Sequence, residues 1–201
     1  MLSILREAGW PIWPLLATSV LGLALIFERF LSLRRSLVMP RGLNDQVADM
    51  LRNHQDTPES IHRLERNSPL GRVLAEVMRH RHLPREELRN VVEDTGRAVA
   101  HDLSRYISAI GTIAVVAPLM GLFGTVVGMI EIFGAQNATG TNPAQLAHGI
   151  SVALYNTGFG LAIAMPTLVF YRHFRALVDS FVIQMEQQAV RFVDVVHNSR
   201  K

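Results

Sequence analysis

Two threonines, Thr125 and Thr157, sit near the middle of long apolar runs, and any chemistry inside those runs has to involve them. A hydroxyl has no accessible pKa, so it cannot carry a proton alone; it orients water or hydrogen-bonds a carboxylate. Thr125 is the only hydroxyl in a stripe of small residues, Gly111, Ala114, Pro118, Gly121, Thr125 and Gly128. Their alternating spacings of three and four keep them on one seam of a helix. Thr157, with Asn156 beside it, belongs to a second stripe, Gly149, Ala153, Thr157, Gly160, Ala164 and Thr167. Small residues let helix backbones approach closely. Two such faces admit two readings. Either they line a narrow, partly wet passage, or they only pack, with each threonine bonded to its own backbone four residues back.

Carboxylates are scarce near these stripes. Glu131 is the one acid within or beside the second run, at its outer end. Acids inside a membrane are functional hypotheses by default, but at this depth Glu131 reads as a solvated mouth residue before a proton carrier. Glu28, next to Arg29 at the end of the first run, reads as half of a boundary or snorkelling pair. His148, at the outer start of the third run, stands alone, and a lone histidine is weak evidence for a site. His80-Arg81-His82 lacks the four-residue spacing that puts two ligands on one helical face. Cysteine is absent, which removes disulfides, thiolate metal sites and thiol nucleophiles together. No nucleophile–base set, phosphate loop or HExxH site is present. Gly121, Gly124 and Gly128 follow no strand, so they are not a dinucleotide fingerprint. The chain reads as a non-enzyme with no catalytic residue, cofactor site or metal site.

The elements that must position these residues are helices. The chain is 49% hydrophobic and 18% charged, and its apolar residues gather in three uncharged runs, Gly9–Phe27, Tyr106–Ile130 and Pro143–Tyr171. A helix needs about 20 apolar residues to cross a bilayer, so all three qualify. The fold class is therefore an all-α membrane protein with three transmembrane helices and long cytoplasmic helical extensions. The formal charge of +3 and the pI near 9.9 do not point to nucleic acid, because the bases track the membrane boundaries and alternate with acids.

Trp10-Pro11-Ile12-Trp13-Pro14 opens the first run, and Arg34-Arg35 follow it, the reverse of a secretory signal. With its N-terminus outside, the chain divides into residues 1–35 (N-terminal segment and first span), 36–105 (cytoplasmic helices), 106–133 (second span), 134–145 (periplasmic loop), 146–172 (third span) and 173–201 (cytoplasmic C-terminal helix). Arginines crowd the 36–105 region, whereas Gly134–Gln145 has no charge, as the positive-inside rule requires.

Within the cytoplasmic region, Leu43, Val47, Met50 and Leu51 mark one amphipathic helix. Asp56-Thr57-Pro58-Glu59 lines up a cap, an N1 proline and a first-turn acid for a second. Pro69 and Gly71 interrupt that helix before Leu70, Val73, Leu74, Val77 and Met78 resume the periodicity. Pro84 starts a third, with Leu88, Val91, Val92, Thr95 and Val99 on one side and Glu93 four residues before Arg97. No break separates it from the second span in sequence, which predicts one helix from about Arg85 to Phe133, roughly 70 Å long. After the third span, Phe174, Val178, Phe181, Met185, Gln188, Phe192 and Val195 predict a coiled-coil-like seam.

The segment Ala117-Pro118-Leu119-Met120-Gly121-Leu122-Phe123-Gly124-Thr125-Val126-Val127-Gly128-Met129-Ile130 resembles the second-span signature of the MotA/TolQ/ExbB proton-channel family. Gly149-Ile150-Ser151-Val152-Ala153-Leu154-Tyr155-Asn156-Thr157-Gly158-Phe159-Gly160, continuing to Met165-Pro166, resembles its third-span signature, and Glu28-Arg29 with Leu33-Arg34-Arg35 looks like its end of span one. Three spans and a short outer loop look like the ExbB/TolQ branch, since the flagellar stators have four spans.

The resemblance implies a ring-forming homo-oligomer, a pentamer, around a dimer of a single-span ExbD/TolR-type partner in the bacterial inner membrane. The partner's membrane aspartate would carry the proton along a path lined by Thr125 and Thr157. Pro118, Gly121, Gly124, Gly128, Ala153, Gly160 and Pro166 would form the packing seam. Glu131 and Glu28 would be ionisable accessories. Work would pass to a TonB-like or TolA-like periplasmic effector. The alternatives are a TolQ-like or other stator-type subunit, or a passive membrane scaffold. One position departs from the family: a glutamate commonly stands five residues before the third-span threonine, and here that residue is Val152.

Overall fold

The computed structural model describes residues 9–53, 55–134 and 143–198, all of them in helices, turns and short links with no strand among them. Helices run over Ile12–Ser32 (α1), Arg35–Val38 (α2), Leu43–Arg52 (α3), Pro58–Asn67 (α4), Pro69–Arg79 (α5), Arg85–Leu103 (α6), Ile107–Gly134 (α7) and Pro143–Asn198 (α8). α1, α7 and α8 are long and apolar enough to cross a membrane. The uncharged loop expected between the second and third spans lies largely outside the described residues. The chain divides into two units, residues 1–28 with 106–173, and residues 29–105 with 174–201.

In the first unit α1 packs on both other spans. Ile12 and Leu15 are fully buried against Met120 of α7 and Tyr155, Phe159 and Ile163 of α8. One turn further on, Thr18 Oγ1 donates to the Pro14 carbonyl at 2.8 Å, keeping the hydroxyl satisfied within its own helix. Trp10 meets Phe123 edge to face with ring centroids 6.0 Å apart. Other large side chains of these helices, among them Leu21, Leu122, Val126, Leu154 and Met165, are exposed, which suits a surface solvated by lipid.

The second unit is assembled from amphipathic helices with capped ends. Thr57 Oγ1 accepts from Ser60 N at 3.2 Å with Pro58 at N1, as the sequence predicts. Ser68 accepts from Gly71 N at 3.0 Å, so the expected interruption is a fresh N-cap for α5. α5 buries Leu70, Val73, Leu74, Val77 and Met78, the whole of its predicted stripe. Arg79 Nη2 lies 2.5 Å from Glu65 on α4 and also pairs with Glu76, while Glu93 and Arg97 form the expected pair on α6.

Two expectations are corrected. The long helix from Arg85 to Phe133 is two helices: α6 ends at Leu103, and Ser104, Arg105 and Tyr106 form a turn before α7. Tyr106 has a φ of 63°, a left-handed conformation that breaks the helical run. Arg29, only 5% exposed, donates from Nη1 to the Leu103 carbonyl at 3.2 Å, supplying a cation to the C-terminal end of α6. The seam beyond the third span also differs. Phe174, Val178, Phe181, Met185, Ala189, Phe192 and Val196 are buried, Gln188 is half-buried and Val195 is exposed. After Met185 the stripe advances by four residues instead of three, which gives an eleven-residue repeat that follows a nearly straight helix.

Candidate membrane site between the second and third spans

α7 and α8 approach most closely where glycine carries no side chain. A Cβ on Gly121 would lie 2.8 Å from the Asn156 carbonyl oxygen and 3.2 Å from Gly160 Cα. A Cβ on Gly160 would lie 2.7 Å from the Ala117 carbonyl oxygen, and one on Gly128 2.9 Å from the Gly149 carbonyl oxygen. Gly124 makes room for the Asn156 side chain, whose Cγ would stand 2.6 Å from an added Cβ. These approaches bring backbone against backbone, the contact that stabilises helix pairs in lipid.

The contact line on α7 runs through Ala114, Ala117, Gly121, Gly124 and Gly128, all buried. It shares Ala114, Gly121 and Gly128 with the stripe read in the sequence but takes Ala117 and Gly124 in place of Pro118 and Thr125, which lie half-buried at its edge. On α8 the facing residues are Gly149, Ala153, Asn156 and Gly160, with Thr157 half-buried beside them. Pro166 is not among them: it is exposed, one step around the helix from buried Thr167. Ala117 and Asn156 take part in the contact although the sequence placed neither in the packing seam.

The two central threonines differ in their bonding. Thr125 Oγ1 donates to its own helix, to the Leu122 carbonyl at 2.6 Å. Thr157 Oγ1 instead reaches across and donates to the Gly121 carbonyl at 3.4 Å, one turn from Thr125. Asn156 is fully buried, and its Nδ2 donates to the Val152 carbonyl at 2.9 Å. Thr167 Oγ1 donates to the Ile163 carbonyl of its own helix at 2.7 Å.

No acid lies in this seam. The sequence between Ile107 and Ile130, and again between Pro143 and Tyr171, contains neither Asp nor Glu. Glu131 is exposed at the far end of α7, and Glu28 is exposed on α1. Val152 is 1% exposed, and its Cγ1 would lie 3.7 Å from a Cβ on Gly9, so its side chain points into the packing against the start of α1. His148 is exposed, and no cluster of three metal-ligating side chains occurs among the described residues.

A match to the MotA/TolQ/ExbB proton channel family covers residues 65–187, which include all of α7 and the seam half of α8. The chain belongs to this family. Among relatives of the MotA/TolQ/ExbB family, the chain is similar to putative biopolymer transport protein ExbB-like 3 of Synechocystis sp., with 32% identity over 180 residues. That match covers 87% of this chain and 85% of the relative. It is also similar to biopolymer transport protein exbB1 of Vibrio cholerae, with 30% identity over 168 residues, covering 81% of this chain and 74% of that one. A shorter stretch of 85 residues is 38% identical to biopolymer transport protein ExbB of Salmonella typhimurium, covering 42% of this chain and 35% of the relative. The α7–α8 seam therefore belongs to a membrane protein of the MotA/TolQ/ExbB family, similar to the ExbB proteins.

Proposed function

We propose that the chain is an ExbB-like subunit of an inner-membrane motor that uses the proton motive force to energise transport across the outer membrane. Its copies form a ring, a pentamer, around a dimer of a single-span ExbD/TolR-type partner, with the N-terminus periplasmic and the C-terminus cytoplasmic. A TonB-like effector takes up the work; a TolA-like effector for envelope maintenance is the alternative within the same mechanism.

The observation that carries this reading is the pairing of two half-buried hydroxyls, Thr125 and Thr157, with a seam that has no acid of its own. A hydroxyl cannot hold a transferable proton, but it can donate to a carboxylate or order a water beside it. In this reading the proton is held by the partner's membrane aspartate. Thr157 lines its path, and the cross-helix bond to Gly121 O keeps the hydroxyl at the edge of the seam. Glu131 and Glu28 act outside the path, as accessory ionisable groups at its ends.

Thr157→Val tests this directly, because it keeps the shape of the side chain and removes the hydroxyl. Expected is loss of proton-motive-force-dependent uptake while the variant still co-purifies with its partner, with Thr157→Ser retaining activity. Full activity in Thr157→Val would remove the path-lining role. The bond from Thr125 to Leu122 O favours a second reading for that residue alone, a packing role inside its own helix. Applied to both threonines, it makes the chain a passive scaffold, which predicts no proton flux with any partner.

A further inference from the structure

We propose that a cleft in the unit formed by residues 29–105 and 174–201 binds a soluble phosphate-bearing anion. The cleft has a volume of about 420 Å³, a size that suits a small organic ligand. One wall is α2 with the start of α3, and the other is the stretch of α8 around Gln188, Arg191 and Phe192. Three guanidinium groups line it, those of Arg35, Arg41 and Arg191.

The charge in this cleft is unspent. Elsewhere in the same unit Arg72, Arg79, Arg81, Arg85 and Arg97 are each paired with a carboxylate. In the cleft, Arg35 donates to the uncharged Gln184 Oε1 at 3.0 Å, and none of the three arginines forms an ion pair among the described residues. Asp45 is the one acid in the wall, so the lining keeps a net positive charge.

The backbone adds to the arginines. α3 begins at Leu43, and its N-cap residue, Gly42, has a φ of 74° and provides no side-chain cap to the first-turn amides. A Cβ there would meet nothing within 4 Å, so the helix start faces open space in the cleft. Uncapped amides with a positive helix end, set among guanidinium forks, suit phosphate oxygens in both charge and geometry. A lipid headgroup is the less suitable source of that phosphate. The α8 wall lies well past Arg172, where the apolar run of the third span has already ended.

Calorimetry with inorganic pyrophosphate on the full-length protein in phosphatidylcholine nanodiscs tests the site. Saturable binding at about 0.1 M salt is expected, where interactions between distant exposed charges are already screened. The Arg41→Gln/Arg191→Gln variant should bind about tenfold more weakly or worse, as loss of two charge-assisted contacts requires. The charge-matched Arg63→Gln/Arg97→Gln variant should bind like the parent. Asp45→Asn should bind more tightly, a gain that an unfolded or damaged variant would not give. Absence of saturable binding, an equal loss in the charge-matched variant, or no gain in Asp45→Asn would overturn the proposal. Loss of pyrophosphate binding in nanodiscs that contain phosphatidylglycerol would overturn the soluble source of the anion.

Discussion

At Gly121 an added methyl group would press on three backbone atoms of the neighbouring helix, the Asn156 carbonyl oxygen, Thr157 Cα and Gly160 Cα. Backbone cannot swing aside as a flexible side chain does, so Gly121→Ala should cost about 1–3 kcal/mol of stability. Gly158, on the same helix as Asn156, is exposed with nothing within 4 Å of an added Cβ. There, Gly158→Ala should gain up to about 1 kcal/mol from helix propensity alone. Thermal unfolding of both variants in one detergent checks the opposite signs. A second residue-level effect concerns acid. The Arg79 guanidinium, 2.5 Å away, holds Glu65 below its ordinary value of 4.5, against a smaller upward push from burial. A carboxylate with a lowered pKa contributes stability above its unfolded value, and that contribution disappears as pH falls through the folded one. The unfolding temperature of the parent minus that of Glu65→Gln should therefore be constant above about pH 4.5 and shrink below it. A difference that grew on acidification would show the opposite linkage. At this scale the sequence made the small residues of the seam legible but not their phase. Ala114, Pro118, Gly121, Thr125 and Gly128 are as regular as Ala114, Ala117, Gly121, Gly124 and Gly128. Small side chains occur in both series, and only the facing helix decides between them.

Helix ends explain what could and could not be read at the level of elements. The starts of α4 and α5 were legible because Thr57-Pro58 and Ser68-Pro69 carry their caps in adjacent residues. The end of α6 was not. No glycine or proline marks Ser104-Arg105-Tyr106; the turn is held by Arg29, which is distant in sequence and buried beside the Leu103 carbonyl. Such a long-range cap leaves no local pattern. Replacing a buried hydrogen-bonded charge with an apolar side chain of similar length leaves the carbonyl without its donor, so Arg29→Met should cost about 1–3 kcal/mol. Amide hydrogen exchange should rise in the last turn of α6 more than in α4. Equal protection in both helices would show that Arg29 does not hold that end. The stripe on α8 beyond Phe174 was legible as a stripe but not as an eleven-residue one. Gln188 and Ala189 are each compatible with a seam until the packed partners are known.

For the whole molecule, membership of the MotA/TolQ/ExbB family and the three-span layout were legible in the sequence, because glycines, proline and threonine keep their order in two apolar runs. The proposed ring is a statement about copies and partner together, and native mass spectrometry of the complex from its own membrane is the measurement that tests it. Five copies with two of a single-span protein are expected, and a lone monomer or dimer would count against the ring.

The continuity of α8 has a consequence for how this protein tolerates length changes. The seam residues of the third span and the buried stripe from Phe174 onward lie on one helix, Pro143–Asn198. One amino acid inserted after His173 would turn everything beyond it by about 100°. The same insertion within Ser104–Tyr106 falls in a turn, where the chain can absorb it without rephasing a helix. In related chains, gaps of one residue should therefore accumulate at the turn before α7 and be purged from the middle of α8, where only insertions close to a whole number of turns keep both stripes in step.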